Sequence, residues 1–345
     1  MVAQLPALLR QRCPAHRYAV IADHHVAELH GARLMNVLKD GGLEAQLLPF
    51  PSGEWNKTRD QWSLLSDAML AAGMGRDAAV IAFGGGVAGD LAGFVAATYL
   101  RGIPFVQIPT TLLAMIDASV GGKTGLDVPA GKNLVGAFHQ PSLVLADVDL
   151  LATLPRAHIA AGMAEAIKHG IIRDRGYLAT LDDAAPCLAR DLDRLDAVVM
   201  GSVAIKASVV SADEREAGVR AILNYGHTVG HAVEALSGFD LLHGEAVAIG
   251  MVVEARLAEL SGVASPGLLS RVSDLLARYA LPVALPESLG SDALLELMQR
   301  DKKVRAAQLR LALPCEPGLM AQSGDGAWTV EVSPQLMRQA LDSSR

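Results

Sequence analysis

Four short apolar runs in the first half of the sequence restrict the possible folds more than any other feature. Each is bounded by Gly, Pro or Asp, and they are Tyr18–Ala22, Ala78–Phe83, Pro104–Ile108 and Ser142–Ala146. Runs that are apolar on both faces suit a parallel sheet covered by helices on two sides. Val26–Gly41 and Thr58–Gly73, which lie between the runs, have helical spacing and end at glycines, as helix C-termini often do. This alternation predicts an α/β domain.

The character of the sequence changes near Leu154 and Pro155. Downstream, five segments have helical spacing, and many are rich in Ala and Leu: Ala160–Ile172, Leu192–Ala212, Asn224–Ser237, Gly244–Ser261 and Leu268–Tyr279. Only Leu309–Leu313 and Trp328–Val332 have the pattern of late strands. We therefore predict an α/β domain over residues 1–154 and a mainly α-helical domain over residues 155–345. Because ligand sites favour such junctions, we expect one in a cleft between the two domains.

Charge and composition exclude several classes of protein. The 345 residues include 30 Lys and Arg against 37 Asp and Glu, a net charge of −7, which argues against a nucleic-acid partner. The longest uncharged stretch, Gly102–Ile116, has 15 residues, whereas a membrane span needs about 20, so we predict no membrane partner. The N-terminus lacks the layout of a secretory signal. Three distant cysteines favour neither disulfides nor a thiolate metal site, so we predict a cytoplasmic protein.

A glycine-rich turn lies between a predicted strand and an apolar helical run. Its sequence, FGGGVAGD over Phe83–Asp90, lets the backbone turn and bring its N–H groups close to an anion such as the pyrophosphate of a dinucleotide. The spacing differs from GxGxxG, and a tight packing turn explains these glycines equally well. Asp23 and Gly53–Lys57 follow other predicted strands, where a cofactor can be clamped or an ordinary surface turn can form.

A second segment, Asp117–Phe138, combines glycines with two lysines and an asparagine. Such a segment offers backbone N–H groups and point-charge cations to an anionic substrate or cofactor. It is not a Walker A loop, because the first glycine of GxxxxGK[ST] is missing before Gly122-Lys123-Thr124. The alternative is a flexible surface loop whose lysines are solvated.

A cluster of histidines and a glutamate indicates a metal site. His227 and His231 are spaced i, i+4 on one helical face, and His243 begins another apolar helix, so a shared site requires the chain to turn back between them. Glu165 lies on an otherwise apolar helix, where a carboxylate needs a partner such as a divalent cation. Two histidines and one carboxylate are typical of a catalytic metal set. The spacing does not decide whether His227, His231 or both bind the metal, and a hydrogen-bonded core histidine is the alternative for each.

Seven segments between about Gly53 and Leu313 together resemble the 3-dehydroquinate synthase family, within the sugar-phosphate cyclase superfamily. They are GGGVAGDLAGF (84–94), RGIPFVQIPTTLLAMIDASVGGKTG (101–125), GKNLVGAFHQP (131–141), GMAEAIKHG (162–170), DEREAGVRAILNYGHTVGHAVE (213–234), LHGEAVAIGM (242–251) and RDKK (300–303). The resemblance implies a dehydroquinate synthase-like fold, with an α/β NAD-binding domain followed by a mainly α-helical metal- and substrate-binding domain.

The resemblance also implies an activity. Family members are lyases that use NAD and one divalent metal, zinc or cobalt, to convert DAHP, a seven-carbon keto-acid phosphate, into 3-dehydroquinate and phosphate. The steps are transient oxidation by NAD, β-elimination of phosphate, re-reduction and an intramolecular aldol cyclisation. The reaction belongs to the shikimate pathway, which leads to chorismate and the aromatic amino acids.

Roles for individual residues follow from the same resemblance. The implied metal ligands are Glu165, His227 and His243. The implied cofactor contacts are Asp23, Glu54, Lys57, Gly85, Gly86, Val87, Asp90, Thr110, Thr111, Lys123, Lys132 and Thr153. The implied substrate contacts are Asp117, Lys123, Asn133, Lys168, Lys206, Arg220, Asn224, His231 and one lysine of the Asp301–Lys303 triplet, for which we take Lys302. Because the family is dimeric, Arg101 is expected to reach the site of the neighbouring subunit in a homodimer.

Three other functions compete with this interpretation. Another sugar-phosphate cyclase would share the NAD and metal sites, but Lys206, Arg220 and Asn224 favour a substrate that carries a carboxylate. A metal-dependent alcohol or polyol dehydrogenase would not need the cluster of lysines and would release NADH. A non-catalytic nucleotide-binding module would have no use for the charged residues of the second domain.

Overall fold

The computed structural model describes residues 2–238, 240–301 and 309–345. The chain divides into two compact units, Met1–Leu154 and Pro155–Arg345. The N-terminal unit is built on a parallel sheet and the C-terminal unit is mostly helical. The fold class predicted from the sequence is therefore confirmed.

The N-terminal unit contains five α-helices and seven strands within its described residues. The helices are α1 (Leu5–Arg12), α2 (His24–Val26), α3 (Ala32–Asp40), α4 (Arg59–Ala71) and α5 (Gly86–Thr98). The strands are β1 (Tyr18–Asp23), β2 (Ala45–Phe50), β3 (Ala79–Gly84), β4 (Phe105–Pro109), β5 (Lys123–Val128), β6 (Gly131–Phe138) and β7 (Leu143–Val144). Two π-helical turns, Ala27–Gly31 and Ala114–Ala118, follow β1 and β4.

A five-stranded parallel sheet forms the core of this unit, in the order β2-β1-β3-β4-β7. All four predicted strands belong to it, and every residue of β3 and β4 is buried, as the unbroken apolar runs predict. The fifth strand, β2, lies at the edge of the sheet, and no apolar run in the sequence gives its bounds. Only part of β2 is buried and it contains Pro49, which edge strands tolerate, so it lacks the continuous apolar pattern.

Strands β5 and β6 form an antiparallel hairpin, in which Lys123 pairs with Phe138 and Gly125 with Gly136. The alternative of a flexible surface loop is therefore wrong for Lys123–Phe138. The hairpin packs on α5, because a side chain at Gly93 would collide with Thr124 of β5. Glycine at this position thus lets the lysine-bearing hairpin lie against the helix that follows the glycine turn.

The C-terminal unit contains nine α-helices and four short strands within its described residues. The helices are α6 (Arg156–Arg173), α7 (Arg175–Thr180), α8 (Ala185–Leu188), α9 (Leu192–Ala212), α10 (His227–Leu236), α11 (His243–Leu260), α12 (Leu268–Arg278), α13 (Ser291–Asp301) and α14 (Pro334–Asp342). The strands β8 (Leu309–Leu311) and β11 (Val330–Val332) pair antiparallel, as do β9 (Pro314–Glu316) and β10 (Leu319–Met320). The five predicted helices and both late strands are present.

Close backbone contacts bring three helices of this unit together. Helix α6 is buried from Ile159 to Ile172, which identifies it as a core helix. A side chain at Gly244, in the first turn of α11, would overlap the Ala161 carbonyl of α6. One at Gly250 would overlap the Gly226 carbonyl just before α10. Glycines therefore allow α11 to pack directly against α6 and against the start of α10.

Helix α9 is long and apolar enough to cross a membrane by length and composition, and it is the one such helix among the described residues. A core helix of a soluble protein meets the same criteria, so this is weak evidence. Charged residues such as Lys206 interrupt α9, so the helix does not contain a long uncharged stretch. The absence of a membrane partner stays a prediction.

Candidate active site

Three side chains from three helices converge in the C-terminal unit. Glu165 lies in α6, while His227 and His243 are the first residues of α10 and α11. Glu165 Oε1 lies 3.3 Å from His227 Nε2 and 3.6 Å from His243 Nε2. One ligand atom from each residue lies within 4.8 Å of the others. The fold therefore makes the turn-back that a shared site requires.

This geometry fits a divalent metal. In a tetrahedral site with bonds of about 2.1 Å, neighbouring ligand atoms lie roughly 3.4 Å apart, close to the spacing of the glutamate and the imidazoles. Glu165 is fully buried, and a buried carboxylate needs cationic partners. Lys168 contacts the other oxygen, Oε2, so Oε1 faces the imidazoles. Imidazole and carboxylate ligands suit zinc or cobalt.

The protonation of the three side chains reflects their burial and mutual contacts. Burial raises the pKa of Glu165, but Lys168 and His227 outweigh this and hold that pKa well below its ordinary value. Burial, with Lys168, lowers the pKa of His227. Burial also acts to lower the pKa of His243, but contacts with Glu165 and Glu234 raise it to about 9. Metal ligands bind deprotonated, so a metal at His243 would displace a proton.

His231 lies beside the three converging side chains. Its ring centroid is 5.3 Å from that of His227 and 6.0 Å from that of His243. It is outside the set of described His and Glu side chains whose ligand atoms meet around Glu165 Oε1. The spacing in the sequence did not decide whether His227 or His231 would bind a metal. The geometry favours His227, together with His243.

Other residues expected to contact substrate lie on neighbouring elements of the C-terminal unit. Lys168 (α6) and Lys206 (α9) are buried, at 1% and 7% exposure. Buried Arg220 lies in the 3-10 turn Val219–Asn224, where its Nη1 donates to the Glu214 carbonyl. Asn224 Nδ2, in the same turn, donates to Glu216 Oε1 at 2.7 Å. The turn thus holds Arg220 and Asn224 through hydrogen bonds to the preceding segment.

In the N-terminal unit, Lys57 is the centre of a polar cluster. Its side chain is only 3% exposed, and Nζ lies 2.9 Å from Glu54 Oε1, 3.2 Å from Asp90 Oδ2 and 3.6 Å from Asp127 Oδ1. It also donates to Asn133 Oδ1 at 2.7 Å. We call these five residues the Lys57 cluster. It links α5 to the β5–β6 hairpin.

Charges within the Lys57 cluster shift its pKa values. Burial acts to lower the pKa of Lys57, but Asp90, Glu54 and Asp127 raise it well above its ordinary value. Burial raises the pKa of Asp90 to about 6, although Lys57 acts in the opposite direction. One ammonium thus neutralises only part of the charge of three carboxylates.

Most other residues expected to contact the cofactor lie at the carboxyl ends of the parallel strands. Asp23 ends β1 and accepts hydrogen bonds from Val26 N at 3.1 Å and Ser52 Oγ at 2.9 Å. Gly85, Gly86 and Val87 follow β3, and Thr110 and Thr111 follow β4. In open parallel sheets, ligands bind outside this edge.

The remaining predicted site residues are more scattered. Thr153 Oγ1 lies 3.0 Å from His30 Nε2, and Asp117 is in the π-helical turn Ala114–Ala118. Lys123 is exposed on the hairpin, and Lys132 Nζ lies 3.9 Å from Glu54 Oε1. Arg101 is exposed, with φ of +71°, after the strained Leu100. Lys302 and Lys303 lie outside the described residues.

Two buried glutamates that the sequence did not single out contact His243 or the start of α10. Glu254, in α11, is fully buried and accepts a hydrogen bond from Gly226 N at 2.7 Å. Glu234, in α10, lies 3.7 Å from His243 Nδ1. The reasoning applied to Glu165, that a carboxylate on an apolar helix needs a partner, would have found Glu254 as well.

Solved structures share the fold of this chain. One is 2-deoxy-scyllo-inosose synthase complexed with carbaglucose-6-phosphate, NAD⁺ and Co²⁺, with a TM-score of 0.91 and 27% identity, covering 99% of this chain and 94% of that one. Another is ValA, the 2-epi-5-epi-valiolone synthase of Streptomyces hygroscopicus subsp. jinggangensis, with NAD⁺ and Zn²⁺ bound, a TM-score of 0.89 and 30% identity over the same shares. Fold and site together define an enzyme of the dehydroquinate synthase-like cyclase class.

Sequence comparisons identify the family within that class. The family profiles described as 3-dehydroquinate synthase N-terminal and C-terminal match residues 47–161 and 162–304. The 3-dehydroquinate synthase of Symbiobacterium thermophilum is 49% identical over 348 residues, covering 100% of this chain and 96% of the relative. The chain belongs to the 3-dehydroquinate synthase family, which confirms the resemblance seen in the sequence. This family of NAD-dependent, phosphate-eliminating enzymes converts DAHP to dehydroquinate in the shikimate pathway.

Proposed function

We propose that this chain converts DAHP to 3-dehydroquinate and phosphate, using NAD and one divalent metal, zinc or cobalt. The observation that carries the proposal is the convergence of Glu165, His227 and His243, whose ligand atoms lie within 4.8 Å of one another. The family segments that contain these residues are far apart in the sequence, and the fold of the C-terminal unit unites them. Such a set supports metal catalysis more than a structural role.

Glu165, His227 and His243 would hold the metal. When bound there, the metal would act as a Lewis acid that polarises a substrate oxygen. Lys168, which contacts Glu165 Oε2, restrains rotation of the carboxylate so that Oε1 stays directed at the two imidazoles. His231, exposed and next to the metal ligands, is placed to exchange a proton with a bound substrate.

The N-terminal unit would bind NAD, which when bound supplies reversible hydride transfer. The first backbone N–H groups of an α-helix have no acceptor within the helix, and at the start of α5, with Gly85, Gly86 and Val87, no side chain among the described residues caps them, which favours binding of the cofactor pyrophosphate. We assign the remaining cofactor contacts to Asp23, Glu54, Lys57, Asp90, Thr110, Thr111, Lys123, Lys132 and Thr153.

Positively charged and amide side chains would bind the two anionic groups of DAHP. In the C-terminal unit these are Lys168, Lys206, Arg220 and Asn224, and in the N-terminal unit Lys123 and Asn133, with Asp117 as a further contact. In a protein of net charge −7, these side chains would supply the positive charge that an acidic substrate needs. They also stabilise charge that develops on the departing phosphate.

A phosphate-release assay tests the proposed function. Purified protein with DAHP, a catalytic amount of NAD and Zn²⁺ is expected to release one phosphate per DAHP with no net formation of NADH. Steady accumulation of NADH would instead indicate a dehydrogenase. Uncarboxylated sugar phosphates serve as the comparison, because turnover of these and not of DAHP would indicate a different cyclase, as in the solved structures that share the fold.

Lys206 is expected to determine affinity for substrate and not for NAD. Changing Lys206 to alanine should raise the KM for DAHP at least about 10-fold, since a hydrogen bond to a charged group contributes roughly 1.5–3 kcal/mol. The NAD dissociation constant, measured by titration of the same variant, should stay at the wild-type value. Equal effects on both ligands would contradict the placement of Lys206 in the substrate site.

We further propose a cytoplasmic homodimer in which Arg101 contributes to the site of the partner subunit. The support is the exposed Arg101 side chain and the adjacent left-handed backbone at Leu100 and Arg101, a conformation that persists where the surroundings require it. Sedimentation velocity of the purified protein tests the dimer, and a monomer at assay concentration would contradict it.

A further inference from the structure

Helices α10 and α11 stabilise each other at the ends that carry the candidate metal ligands. His227 is the first residue of α10, and His243 is the first residue of α11. A glutamate of each helix reaches the start of the other: Glu254 of α11 contacts the start of α10, and Glu234 of α10 contacts His243. Both glutamates are buried, at 0% and 6% exposure.

Glu254 takes the place of a helix cap on α10. The residue before the helix is Gly226, with φ of +79°, and it has no side chain with which to accept a hydrogen bond from the first turn. Glu254 Oε2 instead accepts from Gly226 N at 2.7 Å, and Oε1 accepts from Val229 N at 3.3 Å. The two amides lie on either side of His227. A negative charge at this end also interacts favourably with the helix dipole.

Glu234 acts on the other histidine directly. Its Oε2 lies 3.7 Å from His243 Nδ1, while His243 Nε2 lies 3.6 Å from Glu165 Oε1. A carboxylate at one ring nitrogen fixes the tautomer and the orientation of the ring, which presents the other nitrogen to a metal. Glu234 lies at ion-pair distance on the Nδ1 side of the ring, where its charge favours the orientation that directs Nε2 at Glu165 Oε1.

Direct backbone packing leaves little room for the two helix ends to shift independently. A side chain at Gly250 would overlap the Gly226 carbonyl, and Tyr225 OH donates to the Met251 carbonyl at 2.9 Å. The start of α10 is thus held by three residues of α11: Gly250, Met251 and Glu254. Of these, Glu254 also accepts a hydrogen bond from the first turn of α10 beyond His227, at Val229 N, so the orientation of His227 relative to Glu165 depends on it.

We propose that Glu234 and Glu254 are positioning residues that set the affinity of His227 and His243 for the divalent metal. This inference rests on the proposed function, since it takes these histidines as metal ligands. Neither glutamate belongs to the groups of described side chains that could hold a metal ion. Each acts through the histidine or the helix end that it holds.

Glu259 provides a matched control on the same helix. Its Oε1 accepts from Gly267 N at 2.8 Å and from Leu269 N at 2.9 Å, so it caps the first turn of α12 as Glu254 caps that of α10. Helix α12 carries none of the candidate ligands. A change at Glu259 therefore removes a comparable cap without touching the metal site.

The test compares Glu254→Gln with Glu259→Gln in the full chain, using Co²⁺ alone and no DAHP. Glutamine has nearly the same shape but lacks the charge and one acceptor oxygen. We expect Glu254→Gln to weaken Co²⁺ binding by about 10- to 100-fold, the range for loss of outer contacts to metal ligands. Competition with a chromogenic chelator measures the affinity, and the visible spectrum of bound Co²⁺ should change as well. Glu259→Gln should bind Co²⁺ as the wild type does.

The possible outcomes separate this inference from the proposed function. If folded Glu254→Gln binds Co²⁺ with the wild-type affinity, Glu254 only caps α10, and its assignment as a positioning residue for the metal site is wrong. If Glu254→Gln does not fold, as judged by circular dichroism, Glu234→Gln decides: weaker Co²⁺ binding supports the proposal and unchanged binding overturns it. If the wild type does not bind Co²⁺, the assignment of Glu165, His227 and His243 as metal ligands is wrong. If the wild type binds Co²⁺ and the variants bind it equally well, only the roles of the two glutamates are wrong.

Discussion

Replacing His243 with alanine is expected to abolish both metal retention and turnover while the fold stays intact. His243 is one of the three proposed metal ligands, and its Nε2 lies 3.6 Å from Glu165 Oε1. Loss of an outer contact to a ligand already costs about 10- to 100-fold in affinity or activity, so loss of the ligand itself should cost more than about 100-fold. The side chain is 30% exposed, so its removal leaves no sealed cavity in the core.

Metal content after extensive dialysis and the rate of phosphate release are the two measurements for His243→Ala. His158→Ala is the matched control, because His158 is an exposed histidine at the start of α6 and belongs to no candidate ligand set. It should keep wild-type metal content and rate. A full equivalent of metal in folded His243→Ala would mean that His243 is not a ligand.

Replacing Lys57 with methionine is expected to lower the free energy of unfolding more than any other substitution that we propose. Lys57 Nζ lies within 3.6 Å of carboxylate oxygens of Glu54, Asp90 and Asp127, and methionine keeps the length of the side chain but not its charge. Removing one partner of a buried ion pair typically costs 3–5 kcal/mol, because the remaining charges are left uncompensated, and we expect a loss of about 3 kcal/mol in the free energy of unfolding of the N-terminal unit. Denaturant unfolding measures it.

The Lys57 cluster also predicts how this stability depends on pH. Because the pKa of Asp90 is raised from 3.8 to about 6 on folding, the native state binds more protons than the unfolded state in this interval, so Asp90 makes the protein less stable as pH rises through it. The raised pKa of Lys57 contributes stability that is fully present below its ordinary pKa and lost only in strong alkali. Without Lys57 the carboxyl pKa values should rise further.

The free energy of unfolding of Lys57→Met should therefore fall more steeply than that of the wild type as the pH rises from about 4 to 7. Carboxyl groups whose pKa values are raised on folding lose their protons in this range, and each loss destabilises the folded state. Exposed Lys39, in α3 of the same unit, provides the control variant Lys39→Met, which should match the wild type at each pH. Parallel curves for Lys57→Met and the wild type would show that Lys57 does not neutralise the three carboxylates.

Local pattern was enough to predict most of the secondary structure. The runs that became β1, β3, β4 and β7 are recognisable because a strand buried on both faces has little room for polar residues, and α9 was predicted with the bounds that the structure shows. Strand β2 could not be recognised in this way, since only two of its six residues are buried and it contains a proline. The β5–β6 hairpin was hidden by glycines, which fit both a loop and the close pairing of Gly125 with Gly136.

Residue types and spacing indicated the chemistry of the site but not its partners. A glutamate on an apolar helix and histidines near helix starts indicated a metal, because such groups are costly to bury without one. Spacing could not choose between His227 and His231, since both lie on the same helix. Packing of α11 on α10 and α6 places His227 and His243 at Glu165 Oε1 and His231 to one side, which is why we propose His227 as the ligand.

The sequence by itself determined the alternation of buried strands and helices, the change to a helical unit after Leu154 and the segments that define the family. These are properties of neighbouring residues, set by backbone geometry and by the burial of apolar side chains. Only the tertiary structure decided which distant charges meet: Glu254 with the start of α10, Glu234 with His243, and Lys57 with Asp90 and Asp127. Such contacts depend on how whole helices and hairpins pack, and no local pattern encodes that packing.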